Sequence, residues 1–259
     1  MLFDILTFLL FGIVVAFLVM RVIFTIVMLR QVTPEIKGPD NNISTAKLEI
    51  MIKKALAFFD ITDWHVVQSQ SEEYFSIANA INHKTKTINI TKFNFPSVGY
   101  EIDNLLGNIF YAAGVLKKEK SFGRFIILVN VVVPVFRALF YFFTFLQLTL
   151  YVIFKVDSLT IYQNIFLFKI MDWNMLFYIA LAAAILSLIF STFVYGAKEG
   201  MEVKYEFAIA PFISQYCTEY SQDIVAARTF ALAWKTNIMP VFARKASALK
   251  YFGPFVIYK

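Results

Sequence analysis

Residues able to do metal or nucleophilic chemistry are scarce in this chain. Its 259 residues include two histidines, His65 and His83, and one cysteine, Cys217. A single cysteine excludes an intrachain disulfide and a cluster of thiolate metal ligands. Catalytic zinc usually takes three protein ligands and an activating carboxylate, and the chain has no HExxH helix. Both histidines are therefore interpreted as solvent-facing or capping residues.

Motifs for nucleotide, calcium and acyl-transfer chemistry are also missing from the sequence. The glycines are not spaced as a phosphate-binding loop, no serine stands in a G-x-S-x-G turn, and no EF-hand loop is present. The sequence predicts neither a cofactor nor a metal, and the weak candidates for metal ligands are His83, Glu101 and Glu206. Five acidic residues near membrane boundaries are interpreted as solvated or salt-bridged, with proton relay as the alternative: Glu101, Asp103, Glu202, Glu206 and Asp223.

Composition and hydropathy indicate a membrane protein. The chain is 59% hydrophobic with a mean hydropathy of +0.65. Three apolar runs, Leu2–Leu29, Phe125–Phe154 and Asn174–Gly196, match the ~20 residues that cross a bilayer as a helix. We therefore expect a mostly α integral membrane protein with about three transmembrane helices and a small α+β polar domain.

The second apolar run contains Pro134 and Arg137. Proline removes a helical hydrogen bond, and arginine is costly at the bilayer centre. These residues favour an interfacial piece that ends near Pro134, followed by a span over Ala138–Phe154. One kinked helix is the alternative.

The predicted organisation has four parts. Residues 1–30 form an N-terminal transmembrane anchor, and residues 31–124 form a polar α+β domain that includes an apolar helix over 98–116. Residues 125–196 form a transmembrane hairpin. Residues 197–259 form a membrane-proximal helical segment.

Local patterns predict the elements of the polar regions. Ser44 is a suitable N-cap for a helix over Thr45–Phe59, because serine accepts a hydrogen bond from the first turn. The β-branched run Thr87–Thr91 predicts a strand. Two further helices are predicted over Met201–Tyr220 and Ser221–Lys250.

The distribution of basic residues predicts the topology. Lysine and arginine are concentrated after the first run, before the hairpin and after it, which places the N-terminus outside and the polar regions on the cytoplasmic or matrix side. The net charge of +6 is explained by this bias, and nucleic acid is not predicted as a partner. Candidates for contact with partner subunits or anionic lipids such as cardiolipin are Arg21, Arg137, Lys117, Lys118 and Lys120.

Several short segments follow one another in a familiar order. Ser44-Thr45-Ala46 opens a helix, and Asn82-His83-Lys84-Thr85-Lys86 leads into the strand. Val132-Val133-Pro134-Val135 precedes the hairpin, and Tyr205-Glu206-Phe207-Ala208 follows it. In order and spacing the chain resembles the bacterial membrane-bound neutral zinc metallopeptidases of the YugP-like family.

The resemblance implies a zinc peptidase fold, but the zinc motif has been lost. Counted from the strand, the HExxH position falls on Asn108-Ile109-Phe110-Tyr111-Ala112, with no histidine. A gapped placement on Tyr100-Glu101-Ile102-Asp103-Asn104 recovers only the glutamate. Glu206 alone matches an acidic residue of the family. The resemblance thus implies a scaffold that has kept the fold and lost the reaction.

Three functions follow as hypotheses. The first is a non-catalytic structural or accessory subunit of a membrane complex, such as a respiratory or ATP-synthase assembly in the mitochondrial inner membrane or a bacterial plasma membrane. The second is a divergent membrane-bound zinc metallopeptidase. The third is a small transporter or channel component, for which the spans offer few polar residues.

Overall fold

The structure is a computed structural model that describes residues 2–30, 33, 36, 43–68, 77, 80–90, 97–233 and 253–255. Within these ranges the protein is mostly helical and carries one small sheet. Predictions that fall on the connector over 31–42, on 69–79 or on 234–250 lie almost wholly outside the described residues.

The chain divides into two compact units. The first, here called the apolar unit, comprises Met1–Val22 and Ile127–Val194, and the second, the polar unit, comprises Ile23–Ile126 and Tyr195–Lys259. Each unit therefore combines segments that are far apart in the sequence.

Three helical stretches are long and apolar enough to cross a membrane. They are Leu2–Ile23 in helix α1 (Leu2–Arg30), Lys120–Val156, and Met175–Tyr216. Their number agrees with the sequence prediction. Large apolar side chains remain exposed along them, as expected where lipid is the solvent.

The predicted break near Pro134 is wrong. Helix α4 (Lys120–Ile127) leads through a π-helical turn, Leu128–Val132, into α5 (Val133–Val156) without interruption. Pro134 has no N–H to donate to the carbonyl of Asn130. The wider spacing of hydrogen bonds in the π-helical turn lets the helix continue without that bond.

The predicted start of a separate helix at Met201 is also wrong. Helix α8 runs unbroken over Met175–Tyr216 and includes Gly196, Gly200 and Pro211. Glycine lowers helix propensity by only about 1 kcal/mol, which tertiary packing easily outweighs. A short 3₁₀ turn, Thr218–Tyr220, then leads into α9 (Ser221–Ala233).

Small residues and one polar pair bring the apolar unit together. Ala180, Ala183 and Ala184 of α8 pack with Leu10 and Phe140, because small side chains let helices approach closely. Gln147 Nε2 donates to Thr7 Oγ1 at 2.9 Å between buried parts of α5 and α1. This pairing satisfies both groups within an apolar interior.

Charged residues mark two levels of the apolar unit. Lys155 Nζ lies 2.8 Å from Asp4 Oδ1, which joins the start of α1 to the end of α5. Along α1, Arg21 lies about 26 Å beyond Asp4, at a rise of 1.5 Å per residue. Along α5, Arg137 lies about the same distance before Lys155. That separation approaches the ~30 Å thickness of bilayer hydrocarbon, so both arginines belong near its other boundary.

The link between α5 and α8 forms two short helices, α6 (Ser158–Gln163) and α7 (Ile165–Asp172). Ile161 and Met171 are buried, whereas Ile165, Phe166 and Trp173 are exposed. This pattern fits a segment that lies at a membrane surface, where tryptophan is enriched.

The polar unit opens as the sequence predicts. Helix α2 spans Thr45–Phe58, and Ser44 Oγ accepts a hydrogen bond from the Lys47 amide at its N-terminus. The strands β1 (His65–Gln68), β2 (Ile81–Asn82) and β3 (Thr87–Ile90) form a sheet in the order β1-β3-β2. The β1–β3 pair is parallel, and the β2–β3 pair is antiparallel.

Helix α3 (Val98–Leu116) is the centre of the polar unit. From Val98 to Gly114 every residue except Glu101 is buried, as is typical of a helix enclosed by its neighbours. Two glycines allow the closest contacts: Gly99 lies against the Asp223 backbone of α9, and Gly107 lies against Pro254. A Cβ atom at either position would overlap these neighbours.

Gly99→Ala is predicted to destabilise the polar unit by about 1–3 kcal/mol, because the added methyl group meets backbone atoms that cannot rotate away. Gly200→Ala is the matched control, since nothing lies within 4 Å of its added Cβ and alanine favours helix. The apparent melting temperature in detergent should fall for the first variant only. Equal melting temperatures would contradict the close α3–α9 packing.

Candidate functional site

A buried guanidinium joins three helices in the polar unit. Arg228 of α9 places Nη2 2.5 Å from Glu202 Oε2 and 3.3 Å from Glu206 Oε1, both on α8. Its Nη1 lies 3.6 Å from Asp103 Oδ2 on α3. The cation therefore faces carboxylates from two other helices.

Lys198 and Tyr205 of α8 extend this group. Lys198 Nζ lies 3.4 Å from Glu202 Oε1, one helical turn away. The Tyr205 hydroxyl donates to Asp103 Oδ1 at 2.8 Å, and the Arg228 guanidinium lies 4.9 Å from the centroid of the tyrosine ring. We call these residues the charge centre: Asp103, Lys198, Glu202, Tyr205, Glu206 and Arg228.

The charge centre is shielded from water on most sides. Asp103 is 0% exposed, Arg228 is 5% exposed and Glu202 is 6% exposed. Only the side chain of Glu206 reaches solvent substantially, at 42%. Three carboxylates meet two cations, so the five ionisable side chains carry one formal negative charge in excess.

The chemistry open to this arrangement is limited. A guanidinium stays protonated and has no acceptor lone pair, so Arg228 cannot serve as a general base. The closest carboxylate oxygens already face guanidinium or ammonium groups. Buried ions cost several kcal/mol to desolvate, and close mutual pairing offsets this cost. The geometry thus suits a fixed cross-link between α3, α8 and α9.

The weak candidates for metal ligands are not brought together. His83 lies in the β2–β3 turn, with its ring 5.7 Å from Trp64 in an edge contact. Glu101 lies near the start of α3, where burial raises its pKa, and Glu206 belongs to the charge centre. Among the described residues no three histidine, cysteine or acidic side chains are grouped to hold a metal ion.

The other acidic and reactive residues have separate environments. Asp223 is 6% exposed near the start of α9, and burial raises its pKa. Cys217 is buried between α8 and the 3₁₀ turn, which raises the pKa of its thiol to about 11 and leaves it protonated at neutral pH.

The basic candidates occupy two kinds of position. Lys117, Lys118 and Lys120 are exposed at the junction of α3 and α4. Arg21 and Arg137 are half-buried in the apolar unit. The lysines are therefore open to an anionic surface.

Sequence reasoning missed Arg228 as the central residue. It is the only basic residue in α9, while Lys198, Glu202 and Glu206 follow one another at a spacing of four on α8. Residues four apart share a helix face, so this spacing places two carboxylates and one ammonium in a single row on α8. That spacing was the available indication, but it does not identify the neighbour.

Arg228→Met is predicted to destabilise the protein by about 3–5 kcal/mol, because it leaves Asp103 and Glu202 buried without their guanidinium. Lys47→Met is the matched control, since it breaks the exposed Lys47–Glu219 pair and should change stability little. Apparent melting temperatures in detergent provide the measurement. Equal effects of the two substitutions would contradict a structural role for the charge centre.

Comparisons with known proteins leave the family assignment as a resemblance. No protein-family model, curated protein or solved structure matches the chain. The resemblance to YugP-like metallopeptidases therefore stays a prediction from the short motifs of the sequence.

Proposed function

We propose that this protein is a non-catalytic structural subunit of a larger membrane complex. The observation that carries the proposal is the charge centre. The charged side chains of the charge centre, which come from α3, α8 and α9, face one another at 2.5–3.6 Å. Such pairing favours a rigid platform over a site prepared for a substrate.

The resemblance to zinc peptidases gives this pairing a further meaning. By that resemblance Glu206 is the position that matches an acidic residue of the family, and it faces Arg228 at 3.3 Å. A resident guanidinium would supply at this carboxylate the positive charge that a metal supplies in an active peptidase. This is the expected outcome for a scaffold that has lost its reaction.

The apolar unit would anchor the platform among other subunits. Its three helices suit a bilayer, and its polar pairs, Gln147–Thr7 and Asp4–Lys155, join its own helices. These contacts favour a fixed bundle over a conducting pathway. The composition would suit an energy-transducing membrane, with a respiratory or ATP-synthase assembly as the host complex.

Native purification in a mild detergent tests the proposal. The protein should migrate in a stable complex much larger than one chain, with fixed partners identified by mass spectrometry. Elemental analysis of the same sample should give far less than one zinc per chain. A free protein that carries about one zinc per chain would overturn the proposal in favour of a peptidase.

We further propose that the lysines at the α3–α4 junction contact anionic lipid. Lys117, Lys118 and Lys120 are exposed, and Lys120 begins a candidate membrane span. A basic residue near an anionic surface contributes about 1 kcal/mol to binding. Cardiolipin, with two phosphates, would suit such a cluster on the cytoplasmic or matrix side.

The Lys117→Gln/Lys120→Gln double variant should weaken binding of cardiolipin by roughly tenfold, because two cations are removed beside the membrane. The control is Lys53→Gln/Lys84→Gln, which removes two exposed lysines of α2 and the β2–β3 turn. Native mass spectrometry with added cardiolipin measures bound lipid per chain. Equal loss in both variants would show general electrostatic attraction and contradict a local site.

A further inference from the structure

A groove runs between the second half of α8 and α9. Its larger cavity has a volume of about 540 Å³ and an apolar lining that includes Ile209, Ile213 and Ile224. A second cavity of about 230 Å³ continues it past Glu199. Both cavities are lined by Glu206 and Leu232, so they form one surface feature, here called the α8–α9 groove.

Large apolar side chains stand exposed along this groove. Val225, which lines the larger cavity, is 59% exposed, and Val203, which lines the smaller one, is 48% exposed. Phe207, next to Glu206 but outside both linings, is 79% exposed. Val203, Glu206, Phe207 and Ala210 lie at helical positions that share one face of α8. A contiguous apolar patch of this kind usually marks an interaction surface.

Bilayer hydrocarbon does not account for this patch. Lys198 is the first charged residue after Asp172, and four more charged residues follow it before Phe207. Charged side chains are costly within hydrocarbon, so the crossing part of α8 ends before Lys198. The exposed residues of the groove therefore lie beyond the hydrocarbon, where an aqueous or protein environment begins.

The charged residues along the groove indicate the charge of the partner segment that it binds. Glu199 is exposed beside the smaller cavity, and Glu206 is half-exposed where the two cavities meet. Lys198 and Arg228 also line the groove but are buried against Glu202. The accessible charge is therefore acidic, and it complements a cation.

We propose that the α8–α9 groove binds an amphipathic helix of a partner subunit. The apolar face of that helix would cover Val203 and Val225, and a lysine or arginine would reach Glu199 and Glu206. Helix α9 is 13 residues long, or about 20 Å, which matches three to four turns of a docked helix. This inference rests on the proposed function, and it identifies the docking surface and the class of partner.

Photo-crosslinking in the native membrane tests the groove. A benzoylphenylalanine probe replaces Val203 or Val225, and the matched control places it at Ile50, which is 54% exposed on α2. Both groove probes should react with one segment of one partner, at residues three or four apart and within a turn of a basic residue. The Ile50 probe should not yield this adduct.

Charge reversal tests the acidic rim in the same experiment. Glu199→Lys should lower the yield of the Val225 adduct by about fivefold, the effect of losing roughly 1 kcal/mol at a partly exposed charge pair. Glu49→Lys reverses an exposed charge on α2 and should leave the adduct unchanged.

Several results would overturn the groove assignment. They are adducts with lipid, adducts with a second copy of this chain, reaction with an extended partner segment, and yields no higher than at Ile50. If the chain still migrates in a large complex, any of these results contradicts the proposed docking surface but leaves the proposal of a structural subunit intact. If the unmodified chain migrates as a free protein, the proposed function itself is contradicted.

Discussion

The guanidinium of Arg228, buried against three carboxylates, sets how α3, α8 and α9 pack in the polar unit. Asp103 comes from α3, whereas Glu202 and Glu206 come from α8, so one cation fixes the positions of two other helices. Separating buried opposite charges costs several kcal/mol, comparable with the whole stability of many proteins. The close contact between Gly99 of α3 and the Asp223 backbone of α9 depends on the same alignment.

A different constraint governs the apolar unit. Hydrocarbon offers no hydrogen-bond partners, so backbone and side-chain polar groups must be satisfied within the helices. The π-helical turn before Pro134 and the Gln147–Thr7 pair meet that requirement. Two groups of charged residues lie at opposite ends of this unit: the Asp4–Lys155 pair at one end, and Arg21 with Arg137 at the other. The distance between them is close to the thickness of the hydrocarbon.

Elements with local determinants were predictable from the sequence. Ser44 caps α2 through a bond three residues away, the bounds of α3 follow its apolar run, and Thr87–Ile90 has the residue types of a strand. Three apolar runs likewise gave three candidate spans. In each case the relevant residues lie within one segment.

Features that depend on distant residues were not predictable. The change from apolar to charged residues after Gly196 favoured a separate helix from Met201, but α8 continues as one helix over 42 residues. Asp103 and Arg228 are far apart in the sequence, and no local pattern assigns them to each other. The charged row on α8 can be read from the sequence, yet only the three-dimensional arrangement of α9 identifies Arg228 as the cation that meets its glutamates.

A double-mutant cycle on Arg228 and Glu202 tests most directly whether the charge centre is structural. It compares the unfolding free energies of the parent chain, Arg228→Met, Glu202→Gln and the double variant in the same detergent. Each single variant should be destabilised, and the two substitutions should show a coupling of about 1–3 kcal/mol. No coupling would contradict a structural role for the charge centre. A single variant more stable than the parent would also contradict it, and would indicate a centre retained for chemistry at the expense of stability.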